Sequence, residues 1–136
     1  MWLYNDNPID EESLSDYVAF VYIITNLVNG KRYIGKKLLK NRRTKTINGK
    51  KKKIVVDSDW KKYWGSNKIL QQDVKELGED KFRREILRLC KSKGDANYFE
   101  AKYQFDRSVL LSNMYYNDWI MCRISRSHMK KSLDDT

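Results

Sequence analysis

The run Tyr17-Val18-Ala19-Phe20-Val21-Tyr22-Ile23-Ile24-Thr25 is almost wholly aromatic or β-branched, which predicts a buried strand. After Asn26, Leu27 and Val28, the pair Asn29-Gly30 signals a tight turn in which both central positions favour positive φ. The chain returns through Lys31, Arg32, Tyr33 and Ile34, so the pattern predicts a β-hairpin. Apolar content then collapses from Lys36 to Lys53, and a second turn signal, Asn48-Gly49, sits beside a lysine run. That stretch predicts a short helix or loop followed by a basic, mobile excursion. Rings return at Trp60, Tyr63 and Trp64. Ser66 is suited to cap a helix with Ile69, Leu70, Val74 and Leu77 along one face and Gly78 at its end. Residues 82–90 alternate, with Glu85, Leu87 and Leu89 on one side and Arg84, Ile86 and Arg88 on the other, as a half-buried third strand would. Gly94-Asp95 opens a second helix, capped by Asp95, that runs through Tyr98, Phe99, Ala101, Tyr103 and Phe105. Residues 113–117 read as irregular, Trp119 to Ile124 as a short strand or helix, and 125–136 as a fraying polar tail.

The expected organisation is an acidic segment over 1–16, one domain over 17–124 with a basic insertion near 40–56, and a flexible tail over 125–136. One domain is also what 136 residues favour. No stretch approaches the ~18–20 apolar residues needed to cross a bilayer, and the acidic start has the wrong sign for a signal peptide. The expected protein is soluble and intracellular. Cys90, Cys122 and His128 are too few for a disulfide framework or a structural zinc site.

Charge narrows the class of partner. The formal net charge is +10. Residues 1–16 carry five acids and no base, whereas residues 31–53 carry twelve basic residues and no acid. A basic concentration of this kind is the footprint of a polyanion, because each neutralised phosphate releases condensed counterions. A solubilising loop is the plainer reading. A membrane patch is weaker still, since the segment has no amphipathic apolar face. Trp60, Tyr63 and Trp64, interleaved with Lys61 and Lys62, either stack on exposed bases or pack beneath the helix that follows.

Two tyrosines on adjacent strands are usually packing residues. Their setting here is Val21-Tyr22-Ile23, ten residues, then Tyr33-Ile34-Gly35. That word order resembles the GIY-YIG nuclease family over roughly residues 18–117, and the phrase DWKKYWGSNKIL looks like phage-encoded members. The resemblance implies an α/β (α+β) fold, with a small central three-stranded antiparallel sheet flanked by helices. It implies Tyr22 and Tyr33 as the catalytic tyrosines, Arg43 (or adjacent Arg42) on the first helix, Glu100 on the helix after the third strand, and Asn117 downstream. Glu100 would hold Mg²⁺, with Mn²⁺ able to substitute, and Arg43 would present a planar fork of donors to phosphate. A tyrosine acting as general base needs its pKa lowered from ~10, and Lys36, Lys37 and the metal are the expected means. Lys37, Arg42, Lys50, Lys51, Lys52, Lys53, Trp60 and Lys61 form the expected nucleic-acid surface.

The first triplet reads VYI rather than GIY, and the histidine that many members carry after the arginine has no counterpart before His128. Tyr63 or Trp64 falls near its place. The implied function is a metal-dependent DNA endonuclease with one active site per chain and low sequence specificity, acting in a bacterial host cytoplasm as a monomer or homodimer. The alternative is a nuclease-fold module that binds nucleic acid without cutting it. A weaker third reading is a basic structural or RNA-associated protein whose tyrosines are only core.

Overall fold

A computed structural model of the chain describes residues 1–121 and 126–129. In chain order the strands are β1 (Trp2–Tyr4), β2 (Asn7–Pro8), β3 (Ala19–Asn26), β4 (Arg32–Leu38), β5 (Lys40–Ile47), β6 (Lys50–Asp57) and β7 (Phe82–Cys90). The helices are α1 (Lys68–Leu77) and α2 (Lys93–Asp106). Five strands form one sheet in the order β2-β1-β7-β3-β4, and β5 pairs only with β6. At the centre, β7, β3 and β4 are antiparallel, which is the expected three-stranded core.

β3 is apolar throughout because both its faces are covered. Phe20, Tyr22 and Ile24 pack into one layer with Leu70 and Val74 of α1, while Ala19, Val21 and Ile23 pack into the other with Ala96 of α2. The alternation expected along β7 breaks midway. Val21 pairs with Arg88 but Tyr22 pairs with Ile86, so Leu87 is an extra residue in a β-bulge. Leu87 and Cys90 therefore face the α2 layer, and Ile86 and Leu89 face the α1 layer.

The acidic N-terminal segment is not set apart from the fold. β1 joins the sheet parallel to β7, from Trp2 beside Arg84 to Tyr4 beside Ile86. Trp2 is buried, meets Phe20 and Tyr22 edge-on at 4.9 and 5.4 Å, and donates its indole N–H to the Trp60 carbonyl at 2.8 Å. The Arg84 guanidinium lies between the rings of Trp2 (4.6 Å) and Trp64 (4.1 Å) and donates to the carbonyls of Lys61 and Tyr63. These contacts pin the 60–64 segment to the sheet. Trp60 itself is buried against Phe20, so it is a core residue and not a surface for stacking on bases.

Residues 40–57 are neither a helix nor a loop but the β5–β6 ribbon. Its turn has positive φ at both Asn48 (51°) and Gly49 (75°), the conformation whose twist matches two antiparallel strands. In the β3–β4 connection only Gly30 has positive φ, and its N–H closes a longer loop onto the Asn26 carbonyl at 2.8 Å. Arg42 and Arg43, expected on the first helix, have backbones in β5 opposite Val55 and Ile54. The helix caps also differ from expectation. Asn67 rather than Ser66 caps α1, accepting from the Leu70 N–H, and Ser92 rather than Asp95 caps α2, accepting from the Asp95 N–H. Trp119–Met121 adopt no regular structure, and the expectation for 122–124 lies outside the described residues. So does the expected tail, except for the short turn Arg126–Met129, whose His128 lies against Gly94 at the start of α2.

Trp2→Ala should cost about 3–5 kcal/mol in urea unfolding, the usual cost of emptying a large buried aromatic site. A loss below about 1 kcal/mol would show that β1 is dispensable to the core.

Candidate active site

β4 is the outer strand of the sheet, so its outward backbone groups need partners that no further strand supplies. At Arg32 the N–H donates to the Met114 carbonyl (2.9 Å) and the C=O accepts from the Tyr116 N–H (2.7 Å). At Ile34 the Asn117 side chain serves both groups: its Oδ1 accepts from the Ile34 N–H (3.0 Å) and its Nδ2 donates to the Ile34 C=O (2.8 Å). Gln104 Nε2 donates to the same carbonyl at 2.9 Å. At Lys36 the N–H donates to the Glu100 carboxylate. Glu100 and Gln104 stand four residues apart, on one face of α2.

This edge closes one side of a cleft of about 710 Å³ lined by Tyr22, Tyr33, Lys36, Glu100 and Asn117. Ser66, Asn67 and Lys68 line it from the start of α1, and Asn97, Asp118 and Trp119 complete much of the remainder. Tyr22 pairs directly with Gly35 across the strands, and a Cβ on Gly35 would stand 2.5 Å from Tyr22 Oη. Glycine is needed there because the Tyr22 ring lies over the backbone of β4. The Tyr22 and Tyr33 rings are 6.2 Å apart, and the Tyr33 hydroxyl shares a 2.9 Å hydrogen bond with Ser66 Oγ.

The two phenols differ in access. Tyr22 is 1% exposed and hydrogen-bonded to Tyr63, whereas Tyr33 is only partly buried. Burial pushes both phenols above their ordinary pKa, Tyr22 strongly, with neighbouring tyrosines adding to the effect. This reverses the expectation that Lys36 and Lys37 lower a tyrosine pKa, and at neutral pH Tyr22 is a neutral donor. Lys37 is held in an ion pair with Asp59 (2.6 Å), its ammonium 4.2 Å from the Tyr63 ring centre. Lys61 pairs with Glu11 at 2.9 Å. Both lysines are thus engaged within the protein. Burial also raises the Glu100 pKa, opposed by Lys36 and by the backbone hydrogen bond. Lys36 in turn donates to Asn97 Oδ1.

Among the described residues no cluster of three or more His, Cys, Asp or Glu side chains forms a closed metal cage. The cleft does offer a carboxylate from Glu100 and a buried Gln104 Oε1 that has no hydrogen-bond partner. An all-oxygen, incomplete donor set fits Mg²⁺, which keeps several waters and takes phosphate oxygens as ligands.

The family model described as "Putative endonuclease segE, GIY-YIG domain" matches residues 2–120. The chain belongs to this GIY-YIG endonuclease family. It is 36% identical to "Putative endonuclease segE" of Enterobacteria phage T4 over 98 residues, which is 72% of this chain. The match spans 39% of that relative's length. No solved structure matches the chain significantly. The GIY-YIG hairpin is thus β3 and β4, and four of the residues implied by the family word order, Tyr22, Tyr33, Glu100 and Asn117, meet at one cleft together with Lys36. Asn117 meets it through the strand edge, with its amide committed to Ile34. Lys50, Lys51, Lys52 and Lys53 lie on β6. Sequence reasoning missed Lys68, Asn97 and Gln104. Gln104 was signalled by its four-residue spacing from Glu100, and Lys68 by its place just after the Asn67 cap.

Glu100 holds its proton more tightly folded than unfolded, so the folded state loses stability as pH rises through and above the ordinary carboxylate value of 4.5. Glu100→Gln should therefore be more stable than the parent at pH 7 in EDTA, with the difference shrinking toward pH 3. Thermal unfolding across that range checks this, and a parent stabilised relative to the variant at pH 7 would contradict it.

Proposed function

We propose that the chain hydrolyses phosphodiester bonds of DNA at the β4 edge, with Glu100 holding Mg²⁺ and one active site per chain. The observation that carries this reading is a half-buried acid set beside two tyrosines and the Lys36 ammonium in one cleft. Packing alone gives no reason to bury an acid there at a cost in stability. When bound, the metal supplies positive charge to the phosphate and to the attacking water.

The remaining work falls to protein groups. Tyr33, the more accessible phenol, stays protonated and orients the water through its hydroxyl, and the water's proton passes to solvent as its oxygen bonds to phosphorus. Tyr22 stays neutral and fixes the Tyr33 ring. Lys36 and Lys68 offset charge on the phosphate as its bond to the leaving alkoxide breaks, and the alkoxide takes a proton from solvent. Ser66 holds the Tyr33 hydroxyl in place. Sequence specificity is low, and one site per chain yields nicks unless two chains pair or cut in turn. A bacterial host cytoplasm, where a phage enzyme meets DNA, is the expected setting.

Supercoiled plasmid with Mg²⁺ should be converted to the open-circular form by the parent. EDTA should stop the reaction, and Glu100→Ala should slow it roughly 10²–10³-fold, the scale of one lost transition-state contact. Cleavage unchanged in EDTA or in Glu100→Ala would overturn the metal role, and no cleavage of any DNA form by the parent would overturn the nuclease reading in favour of a binding module.

A further inference from the structure

The ribbon β5–β6 has a charge distribution that a single flat surface does not explain. Residues paired across an antiparallel ribbon share a face, and successive pairs alternate faces. Thr44 with Lys53 and Thr46 with Lys51 lie on one face, and Lys45 with Lys52 and Ile47 with Lys50 lie on the other. All five lysines are exposed, and among the described residues no acid pairs with any of them. Lys45 sits directly opposite Lys52, a like-charge pair that disfavours the ribbon in isolation. The ribbon's extensive packing is between its own two strands, so its distal half stands away from the main sheet. Eight residues per strand give a reach of roughly 26 Å.

A polyanion touching one side of this ribbon leaves the lysines of the other side unneutralised. A groove with phosphates along both walls neutralises both. The major groove of B-form DNA is ~12 Å wide and admits a two-stranded ribbon, whereas the minor groove is ~6 Å wide and the major groove of duplex RNA is too narrow. We infer that the β5–β6 ribbon inserts into the major groove of duplex DNA, the lysines of its two faces reaching the opposite phosphate walls. This deepens the DNA reading above and rests on it: the substrate is a duplex gripped beside the cleft, not a free single strand. The Lys45–Lys52 repulsion is relieved only when that partner is present.

The test is dimethyl sulfate protection of a DNA duplex in EDTA, with the parent and with the fourfold variant Lys45→Ser, Lys51→Ser, Lys52→Ser, Lys53→Ser, whose fold is checked by circular dichroism. The expected result is protection of guanine N7, which lies in the major groove, by the parent and its loss in the variant. The slope of log K against log salt should also become shallower by about 3–4, at ~0.9 per phosphate contact. Guanine N7 left reactive while adenine N3 in the minor groove is protected, equal affinity for single-stranded DNA or duplex RNA, or an unchanged salt slope would overturn the inference. Because binding is read without metal, a parent that protects N7 but never cuts would refute the nuclease reading alone. A parent that cuts in a Glu100-dependent way without protecting N7 would refute the ribbon inference alone.

Discussion

The outer edge of β4 is the constraint on which the site depends. An unpartnered strand edge presents N–H and C=O groups that must be hydrogen-bonded if buried. Here residues 32, 34 and 36 are served in turn by the backbone of Met114 and Tyr116, by the side chains of Asn117 and Gln104, and by the carboxylate of Glu100. Of the groups that complete the edge, Asn117, Gln104 and Glu100 also line the cleft. Asn117 acts as a short piece of strand, which draws the 114–118 segment against the tyrosines, while Glu100 and Gln104 do the same for α2.

Catalytic potential and instability share a source in this arrangement. Burial that completes the edge also raises the pKa of Glu100 and of both tyrosines. Tyr22 lies over Gly35 with no room for a Cβ, so the hairpin brings its two phenols together only with glycine at that position. Below them, the Arg84 guanidinium between Trp2 and Trp64 fixes the segment that carries Tyr63, the hydrogen-bond partner of Tyr22. Its own pKa falls to about 10 through desolvation, which leaves it charged at neutral pH.

Much of this was legible in the chain. β3 announces itself because a strand covered on both faces must be apolar, β7 by its alternation, and the word order around Tyr22 and Tyr33 carried the family resemblance, onto which Glu100 and Asn117 were matched. What was not legible depends on contacts distant in sequence. β1 is three residues whose place is set by a parallel partner some 80 positions away, and Trp60 is held in the core by Phe20 against its ring and the Trp2 indole on its carbonyl. The Leu87 bulge leaves no mark in an otherwise alternating strand. β5 and β6 escaped because exposed, lysine-rich strands lack the apolar signal of burial, and their register comes from the Asn48-Gly49 turn. Arg43 was placed on a helix by counting from Tyr33, and the count cannot register that the intervening chain is extended.

Native-state hydrogen exchange at the Ile34 and Lys36 amides tests most directly whether side chains complete this edge and so build the site. The account predicts that both exchange as slowly as the Tyr22 amide in the sheet interior, that Asn117→Ala releases Ile34 alone, and that Glu100→Ala releases Lys36 alone. Exchange of both amides in the parent as fast as that of Gly49 in the exposed ribbon turn would contradict it.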